Sequence, residues 1–470
     1  SGGGGVARYF VSGTFNQDNG MLKVDNRNNF NNNIDLKSYS LRTNVDVTLT
    51  NNLEMIVRIA GNFDDYNGPI DGGKAMYEKV MRANPVLFPA AFPKGPQQQF
   101  VSHIMYGNFD GGTYLNPYAD MTKGYKDYST STMSAQLELK HDLTYLTKGL
   151  SVSGMMNTNR YAHFDMVRAY NPFYYTLNGY DRFTDTYGIS NINEATATEY
   201  LNYQPGVKTV NSAFYLQSIL NYNRTFGEKH NISGLLVYMM RSHLDANAAD
   251  IQLSLPFRNM GVSGRATYAY ASRYFAEFNF GYNGSERFHD SKRFGFFPSA
   301  GLAWSLSNEK FFEPFKDIVS NFRLRATYGM VGNDAIGSAA DRFFYLSNVD
   351  MNVPGRGFTF GRDQNYTRPG ISISRYSNAH ITCETAIKQN YAIELGLFNK
   401  FTFQGDYFKE HRKNILMTRS FVPLTMGLSA PIRANVGEAS SSGIDMSLDY
   451  SQRWYSGWWM SLRGNFTYST

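Results

Sequence analysis

The sequence predicts an all-β protein, a transmembrane antiparallel up-and-down β-barrel, on the strength of three observations. Apolar and polar residues alternate over segments of about ten residues or more, a pattern that marks strands whose two faces meet different surroundings. The connections between these segments alternate between short and long. Aromatic side chains gather near the segment ends, as they do in the girdles at the two interfaces of a bilayer.

The composition removes the main competing classes. Aromatic residues make up 16% of the 470 residues, too many for a disordered chain. The mean hydropathy is −0.41, and no apolar run approaches the roughly 18 residues of a spanning helix. This test does not exclude barrel strands, because alternating apolar and polar residues give a strand a low mean hydropathy. The net charge of +6 contains no run of like charges, so no nucleic-acid partner is expected.

The alternation identifies about fifteen strands. Residues 274–283 show it clearly, because Phe278 and Phe280 share one face while Glu277 and Asn279 share the other. Most of the segments have the nine to eleven residues or more that a tilted strand needs to cross a bilayer. The predicted strands are 6–17, 37–50, 53–64, 130–141, 149–160, 210–225, 230–243, 259–270, 272–285, 296–306, 319–331, 387–398, 401–414, 440–452 and 457–469.

The connections predict which end of the barrel faces outward. Short links such as 51–52, 227–229 and 399–400 are interleaved with long ones, as in barrels that have short periplasmic turns and long extracellular loops. Helical turns are expected within 307–318 and within 74–84. The predicted extracellular loops are 18–36, 65–129, 161–209, 332–386 and 415–439.

Five stretches carry a family resemblance. GYNGSERFHDSKRFGFFPSAGLAWSLSNEKFF at 281–312 and LRATYGMVGND at 324–334 resemble the barrel of the SusC/RagA family of TonB-dependent outer-membrane transporters. SGGGGVARYFVSGTF at 1–15, DYFKEHRKNIL at 406–416 and NVGEASSSGIDMSL at 435–448 resemble further strands of that family in the same order.

The resemblance implies a partial barrel domain over residues 1–470. Family members have an N-terminal plug domain and a barrel of about 22 strands, whereas this sequence shows about fifteen strands and no plug sequence. It also has Cys383-Glu384 where the family commonly has Trp-Glu.

The resemblance further implies energised import of a bulky nutrient across the outer membrane of a Gram-negative Bacteroidetes bacterium. The cargo would be an oligosaccharide or, in some members, a peptide. The implied partners are a SusD-like surface lipoprotein, outer-membrane lipid, and the TonB complex acting through the plug. Such transporter and lipoprotein pairs usually work as dimers.

No enzyme is predicted. The eight histidines lie too far apart for a familiar metal spacing, and no hydrolase or phosphate-binding motif occurs. The carboxylates on the inward faces share their strands with arginines, so we expect a water-lined wall of mixed charge.

Candidate ligand-binding residues lie in the long loops. Aromatic rings suit the apolar faces of sugars, and carboxylates and amides suit their hydroxyl groups. The competing interpretation is that these rings pack the loops against each other or against the lipoprotein. The candidates are Tyr114, Asn116, Tyr118, Tyr174, Tyr175, Tyr180, Asp181, Phe358, Phe360 and Asp363.

The sequence predicts no cofactor, and a calcium site is the alternative that one loop suggests. Asp64, Asp65, Asn67 and Asp71 offer oxygen ligands within FDDYNGPIDGG, residues 63–73. Their spacing departs from that of an EF-hand, and a polar turn is the favoured interpretation.

Two other functions remain open at the level of sequence. One is a soluble or surface-attached β protein that binds carbohydrate without transport, which would bury the aromatic face against a second sheet. The other is a passive porin, which would share the barrel but lack the plug.

Overall fold

The computed structural model describes residues 1–337 and 342–470. Residues 338–341, part of the predicted loop 332–386, lie outside the described residues. The all-β prediction is confirmed, because each of the fifteen predicted strands is present and all of them join one antiparallel sheet.

The described residues form strands of very different lengths, from two residues to 25. They are β1 (Gly2–Gly3), β2 (Ala7–Asn19), β3 (Asp35–Thr50), β4 (Leu53–Gly68), β5 (Tyr106–Gly107), β6 (Gly124–Asp142), β7 (Leu150–Ala169), β8 (Tyr174–Asp181), β9 (Thr186–Asn191), β10 (Asn202–Phe226), β11 (His230–Asp245), β12 (Phe257–Tyr270), β13 (Tyr274–Ser285), β14 (Phe294–Ser305), β15 (Val319–Asn333), β16 (Asn348–Phe360), β17 (Tyr366–Arg375), β18 (Glu384–Leu397), β19 (Phe401–Thr418), β20 (Arg433–Arg453) and β21 (Trp459–Ser469).

Sixteen of these strands form a single meander in which each strand pairs with the next along the wall. The order is β1-β2-β3-β4-β6-β7-β10-β11-β12-β13-β14-β15-β18-β19-β20-β21. The strands β5, β8 and β9 form a small sheet in the loops, and β16 pairs with β17 in another. In this structure β1 and β21 are the edges of the large sheet.

Helices are few and short in the part of the chain that the structure describes. They are α1 (Gly72–Arg82), α2 (Pro117–Thr122) and α3 (Ile251–Ser254). The helical turns predicted within 74–84 and 307–318 are confirmed by α1 and by two 3₁₀ turns at Leu306–Asn308 and Lys310–Phe315. None of the helices in residues 1–337 and 342–470 has the length and apolar character needed to cross a membrane.

The connections alternate in length as predicted. The turn between β10 and β11 shows how tight the short end is, since Gly227 and Glu228 have φ angles of 53° and 59°. Two successive left-handed residues match the type I′ turn that suits the twist of a hairpin. The connections that hold the small sheets and α1 to α3 lie at the opposite end of the sheet. One connection breaks the alternation, because residues 306–318, with their two 3₁₀ turns, join β14 to β15 at the short-turn end.

The strands extend further toward the long loops than the sequence predicts. β6 begins at 124 rather than 130, β7 ends at 169 rather than 160, and β10 begins at 202 rather than 210. The prediction relied on apolar alternation, which a lipid-facing wall requires. Backbone pairing needs no apolar face, and it therefore continues into the polar segments that the alternation misses.

The two faces of the sheet differ as a membrane-spanning wall requires. Apolar side chains such as Phe278, Phe296 and Leu302 are 47%, 54% and 66% exposed on one face, while Arg325 and Glu394 lie on the other. Within the described residues neither small sheet is large enough to cover this face. An exposed apolar surface of this extent marks contact with a membrane or a partner, and the second sheet of a soluble sandwich is not among the described residues.

Candidate binding site at the long-loop end

Charged side chains form an ion-pair ladder on the inner face of the sheet. The Arg325 guanidinium lies 3.4 Å from a Glu394 oxygen and 3.0 Å from an Asp406 oxygen. Arg323 reaches the other Glu394 oxygen at 3.4 Å. These residues come from β15, β18 and β19, where the register sets Arg323 opposite Glu394. The inner wall is thus polar and charge-balanced, which suits an aqueous lumen.

Three long connections pack together above the wall into what we call the loop assembly, residues 20–34, 69–123 and 170–201. Its centre is Tyr106, which is fully buried. The Tyr106 hydroxyl lies 2.5 Å from the Thr122 hydroxyl and 2.7 Å from the Tyr170 hydroxyl. Burial raises the pKa of Tyr106, so this phenol stays neutral and keeps its hydrogen. Beside it, Gly107 has no room for a side chain, because a Cβ would lie 2.0 Å from the carbonyl oxygen of Pro89.

Two of the predicted ligand residues hold the loop assembly together. Asn116 is 3% exposed, and its amide donates to the carbonyls of Ala90 at 2.9 Å and Gly107 at 2.8 Å. Its oxygen accepts from the backbone of Ala119, which caps α2. Tyr118 joins α2 to the first loop, as described next.

A hydrogen-bonded triad links residues 20–34 to α2. The Tyr118 hydroxyl donates to the Asp25 carboxylate, and Arg27 donates to the Tyr118 oxygen at 3.1 Å. Arg27 also donates to Asp25 from its backbone and its guanidinium. These hydrogen bonds, first of all those from Arg27, hold the pKa of Asp25 well below its usual value.

Two more candidates, Tyr174 and Tyr175, also pack within the loops. Tyr175 is 7% exposed, and its hydroxyl lies 2.9 Å from His103 Nε2, while His103 Nδ1 lies 3.0 Å from Glu199. Tyr174 packs against the cluster around Tyr106. For Asn116, Tyr118, Tyr174 and Tyr175, the contacts observed are those of loops packed on loops.

The remaining candidates are solvent-facing. The ring centroids of Tyr180 and Tyr187 lie 4.9 Å apart on the β8–β9 hairpin, and each side chain is about half exposed. Asp181 closes that hairpin by accepting from the backbone of Phe183 at 2.8 Å. Tyr114 is 43% exposed and touches the rings of Phe88 and Phe109.

A second exposed aromatic pair lies on β16. Phe358 and Phe360 are 70% and 50% exposed, with ring centroids 5.2 Å apart. Asp363 lies in the exposed turn that leads to β17. Exposed apolar rings of this kind are available for stacking. The structure thus offers two pairs, Tyr180–Tyr187 and Phe358–Phe360, to a ligand arriving from solvent.

The suggested calcium ligands are not brought together. Asp64 and Asp65 are successive residues of β4 and so point to opposite faces of the sheet. Asn67 donates to Asp127 at 2.6 Å, and Asp71 pairs with Lys79. Throughout residues 1–337 and 342–470, no group of three or more His, Cys, Asp or Glu side chains has the arrangement to hold a metal ion.

The sequence did not predict a cavity of about 680 Å³ near the long-loop ends of β11 to β15. We call it the arginine cavity, because five arginines and two carboxylates line it among the described residues. These are Arg241, Arg258, Arg287, Arg293 and Arg342, with Glu286 and Asp334. They come from β11, β12, the turn after β13 and the loop after β15. The one sequence signal is the basic turn SERFHDSKRF at 285–294.

One buried arginine holds together two of the segments that line the cavity. Arg342 is 2% exposed, and its guanidinium lies over the rings of Phe257 at 4.1 Å and Phe343 at 4.6 Å. It donates to the carbonyl of Gln252 at 3.0 Å and to two further carbonyls before β12. The contacts tie α3 to the loop after β15.

The comparison with known families identifies the barrel. A family model described as TonB-dependent receptor-like, beta-barrel matches residues 2–470. The chain belongs to this family.

Relatives of this TonB-dependent receptor barrel agree with the SusC/RagA resemblance, which is confirmed. The chain is 22% identical to TonB-dependent receptor P3 of Formosa agariphila over 96% of its own length and 42% of that protein. It is 28% identical to TonB-dependent receptor SusC of Bacteroides thetaiotaomicron over 42% of its length and 19% of SusC. The chain therefore spans less than half the length of these curated relatives.

A solved structure shares the fold. The RagAB peptide transporter structure covers the whole of this chain with a TM-score of 0.60 and 16% identity, and the match takes in 49% of that chain. At this identity the likeness concerns the course of the wall, which is the sixteen-stranded meander described above.

Proposed function

We propose that this chain forms the membrane-embedded barrel wall of an outer-membrane, TonB-dependent importer of a bulky nutrient in a Gram-negative bacterium. The proposed cargo is an oligosaccharide, and a peptide is the alternative cargo because a RagAB peptide transporter has the same fold. Transport, rather than chemistry, is the proposed activity.

The observation that carries the proposal is the contrast between the two faces of one long-stranded sheet. Its exposed side presents apolar residues such as Leu302 and Phe278, and its inner side carries the ladder of Arg325, Glu394 and Asp406. Hydrocarbon on one side and water on the other are the surroundings that stabilise such a wall.

The proposed partners follow from the family. A SusD-like surface lipoprotein would cover the loop assembly, and the TonB complex would act through a plug domain of the full-length protein. SusC and RagAB among the similar proteins support this arrangement. We further propose that two transporter and lipoprotein pairs associate.

The test is uptake by cells. The gene encoding the full-length protein is deleted in its native bacterium, and growth is compared on a panel of oligosaccharides and peptides as sole carbon source. We expect growth on one class to be lost, to be restored by the intact gene, and to remain lost when TonB is absent.

Each alternative function predicts a different result. A passive porin would support uptake without TonB. A surface binder that does not transport would leave growth intact when the cargo is supplied as its smallest breakdown products and would wash off the membrane at high pH. Growth unaffected by the deletion on the whole panel would contradict import.

A further inference from the structure

The arginine cavity contains more positive charge than its own carboxylates balance. Among the described lining residues, five arginines face two acids. Glu286 lies 3.7 Å from both Arg258 and Arg342, so one carboxylate is shared between two guanidinium groups. The Asp334 carboxylate accepts from the Asn259 amide at 3.3 Å, and none of the ion pairs of the cavity arginines involves this carboxylate among the described residues.

Two of the arginines are held mainly by neutral partners, and of these two only Arg342 also lies near a carboxylate, the Glu286 that it shares with Arg258. Arg287 donates to the backbone carbonyls of Ile336 at 3.0 Å and Asp334 at 3.4 Å. Arg342 is held by carbonyls and aromatic rings, as described above. Burial lowers the pKa of Arg342, and Arg258 and Arg287 lower it further while Glu286 raises it.

Two other arginines keep hydrogen-bonding capacity for a ligand. Arg241 is exposed on β11 opposite Asn259 and has no ion-pair or hydrogen-bond partner among the described residues. Arg293 pairs with Asp290 through one terminal nitrogen, which leaves its other terminal nitrogen without an ion-pair partner among the described residues. A guanidinium with free donors suits a carboxylate or a sulfate, which accept two parallel hydrogen bonds.

Aromatic rings share the cavity with these arginines. Tyr215, Phe257 and Phe297 contribute to its lining. Rings provide flat apolar surface for a sugar, and the guanidinium groups provide charge for an acid group on it. A neutral sugar would leave the excess positive charge unpaired in a partly closed space.

We propose that the arginine cavity binds an acidic saccharide, through a carboxylate or a sulfate ester on the sugar. The inference rests on the proposed import function and specifies its cargo as anionic. Arg241 and Arg293 contact the acid group, while Arg287 and Arg342, which backbone carbonyls hold in the lining, are positioning residues that keep two further positive charges beside it.

Binding to the purified full-length protein in detergent tests the proposal. The probes are a uronic acid disaccharide, a sulfated disaccharide, a neutral disaccharide of the same size and a Glu-Glu dipeptide, each followed by calorimetry at low and high salt. We expect one of the two acidic disaccharides to bind at least tenfold more tightly than the neutral one, with an affinity that falls as salt is added. Which of the two binds distinguishes a carboxylate from a sulfate ester.

The variants leave Arg287 and Arg342 unchanged, because these side chains hold neighbouring segments together through backbone carbonyls. Arg241→Gln should weaken the acidic disaccharide about fivefold to tenfold, and Arg241→Lys should retain part of the affinity. The matched control is Arg58→Gln, which removes an exposed arginine on β4, four strands away from β11 along the sheet, and should leave binding unchanged.

Three outcomes would overturn the proposal. They are no binding of either acidic disaccharide, equal loss in Arg241→Gln and Arg58→Gln, and preferential binding of the Glu-Glu dipeptide. None of these outcomes alters the growth test of import, and TonB-independent growth would contradict import even if the acidic sugar bound. The two failures are thus distinguishable.

Discussion

A single hydroxyl, that of Tyr106, connects two of the three segments of the loop assembly, 69–123 and 170–201. It lies within hydrogen-bond distance of Thr122 and Tyr170 in a site from which water is excluded. The substitution Tyr106→Phe would leave these partners without their shared neighbour, which should cost about 1 to 3 kcal/mol of local stability. Faster chymotrypsin cleavage within 69–123 in isolated outer membranes is the expected result. The control is Tyr114→Phe, on an exposed ring; equal cleavage rates for the two variants would contradict the role given to Tyr106.

The stability that the hydrogen bond between Asp25 and Tyr118 gives to residues 20–34 should decrease at low pH. The pKa of Asp25 in the folded protein lies below its ordinary value of 3.8, so the stabilisation is fully present above 3.8 and is lost as the pH falls through the folded pKa. Asp25→Asn should loosen residues 20–34 at neutral pH by roughly 1 to 2 kcal/mol, because Arg27 loses a charged acceptor.

Hydrogen exchange of residues 20–34, corrected for the intrinsic rate at each pH, measures this effect. The exposed Asp18 at the end of β2 supplies the control Asp18→Asn. A wild-type protein that loses protection well above pH 3.8 would rule out the assigned shift.

For the loops, the sequence predicts which types of residue are available but not which contacts each of them makes. The sequence shows that tyrosines and asparagines are plentiful in the loops, but the assignment of Asn116 to a helix cap and of Tyr180 to an exposed pair depends on contacts between segments far apart in the chain. The arginine cavity was missed for the same reason, since Arg241 and Arg342 are about a hundred residues apart and no local spacing unites them.

At the scale of elements, the long strands were predictable because contact with lipid requires an apolar side chain at every second position of a strand. The strands within the loops carry no such pattern. β5 has only two residues and pairs in parallel with β8, so its existence depends on the packing around Tyr106. The same contrast explains why the predicted strand ends agree with the structure at the short turns. At the long-loop end, the predicted strands stop several residues before the observed ones.

Neighbouring residues of β14 provide a test of the two faces. Ala300 is opposite Phe278 on the exposed apolar face, and Ser299 is opposite Asn279 on the inner face. Ala300→Arg should reduce the free energy of unfolding by about 2 to 4 kcal/mol, because a guanidinium near the middle of the wall would enter hydrocarbon. Ser299→Arg should change it far less. Urea unfolding in lipid vesicles, followed by tryptophan fluorescence, gives both values; similar losses for the two variants would refute the orientation of this strand.

The whole molecule should behave as an integral membrane protein. The apolar exterior that includes Phe296 and Leu302 is exposed in the structure, and burying such a surface in lipid is favourable by about 25 cal/mol per Å². The full-length protein should therefore stay in the membrane after washing at high pH, require detergent for extraction, and migrate differently on gels before and after heating. Release by the alkaline wash alone would contradict a spanning wall and favour the surface-attached binder.

The length of the longest strands would determine where the proposed importer first holds its cargo. β10 has 25 residues, or about 80 Å of strand at roughly 3.3 Å per residue, and a tilt of about 40° leaves roughly 60 Å of height against an apolar band of about 25 Å. The wall thus rises well beyond the headgroups on the side where β6, β7 and β10 have 19, 20 and 25 residues, and it is lowest at β13 and β14, which have 12 residues each. In the proposed importer, a nutrient held at this higher rim would still be fully hydrated, so selection by size and charge would precede the cost of removing its water.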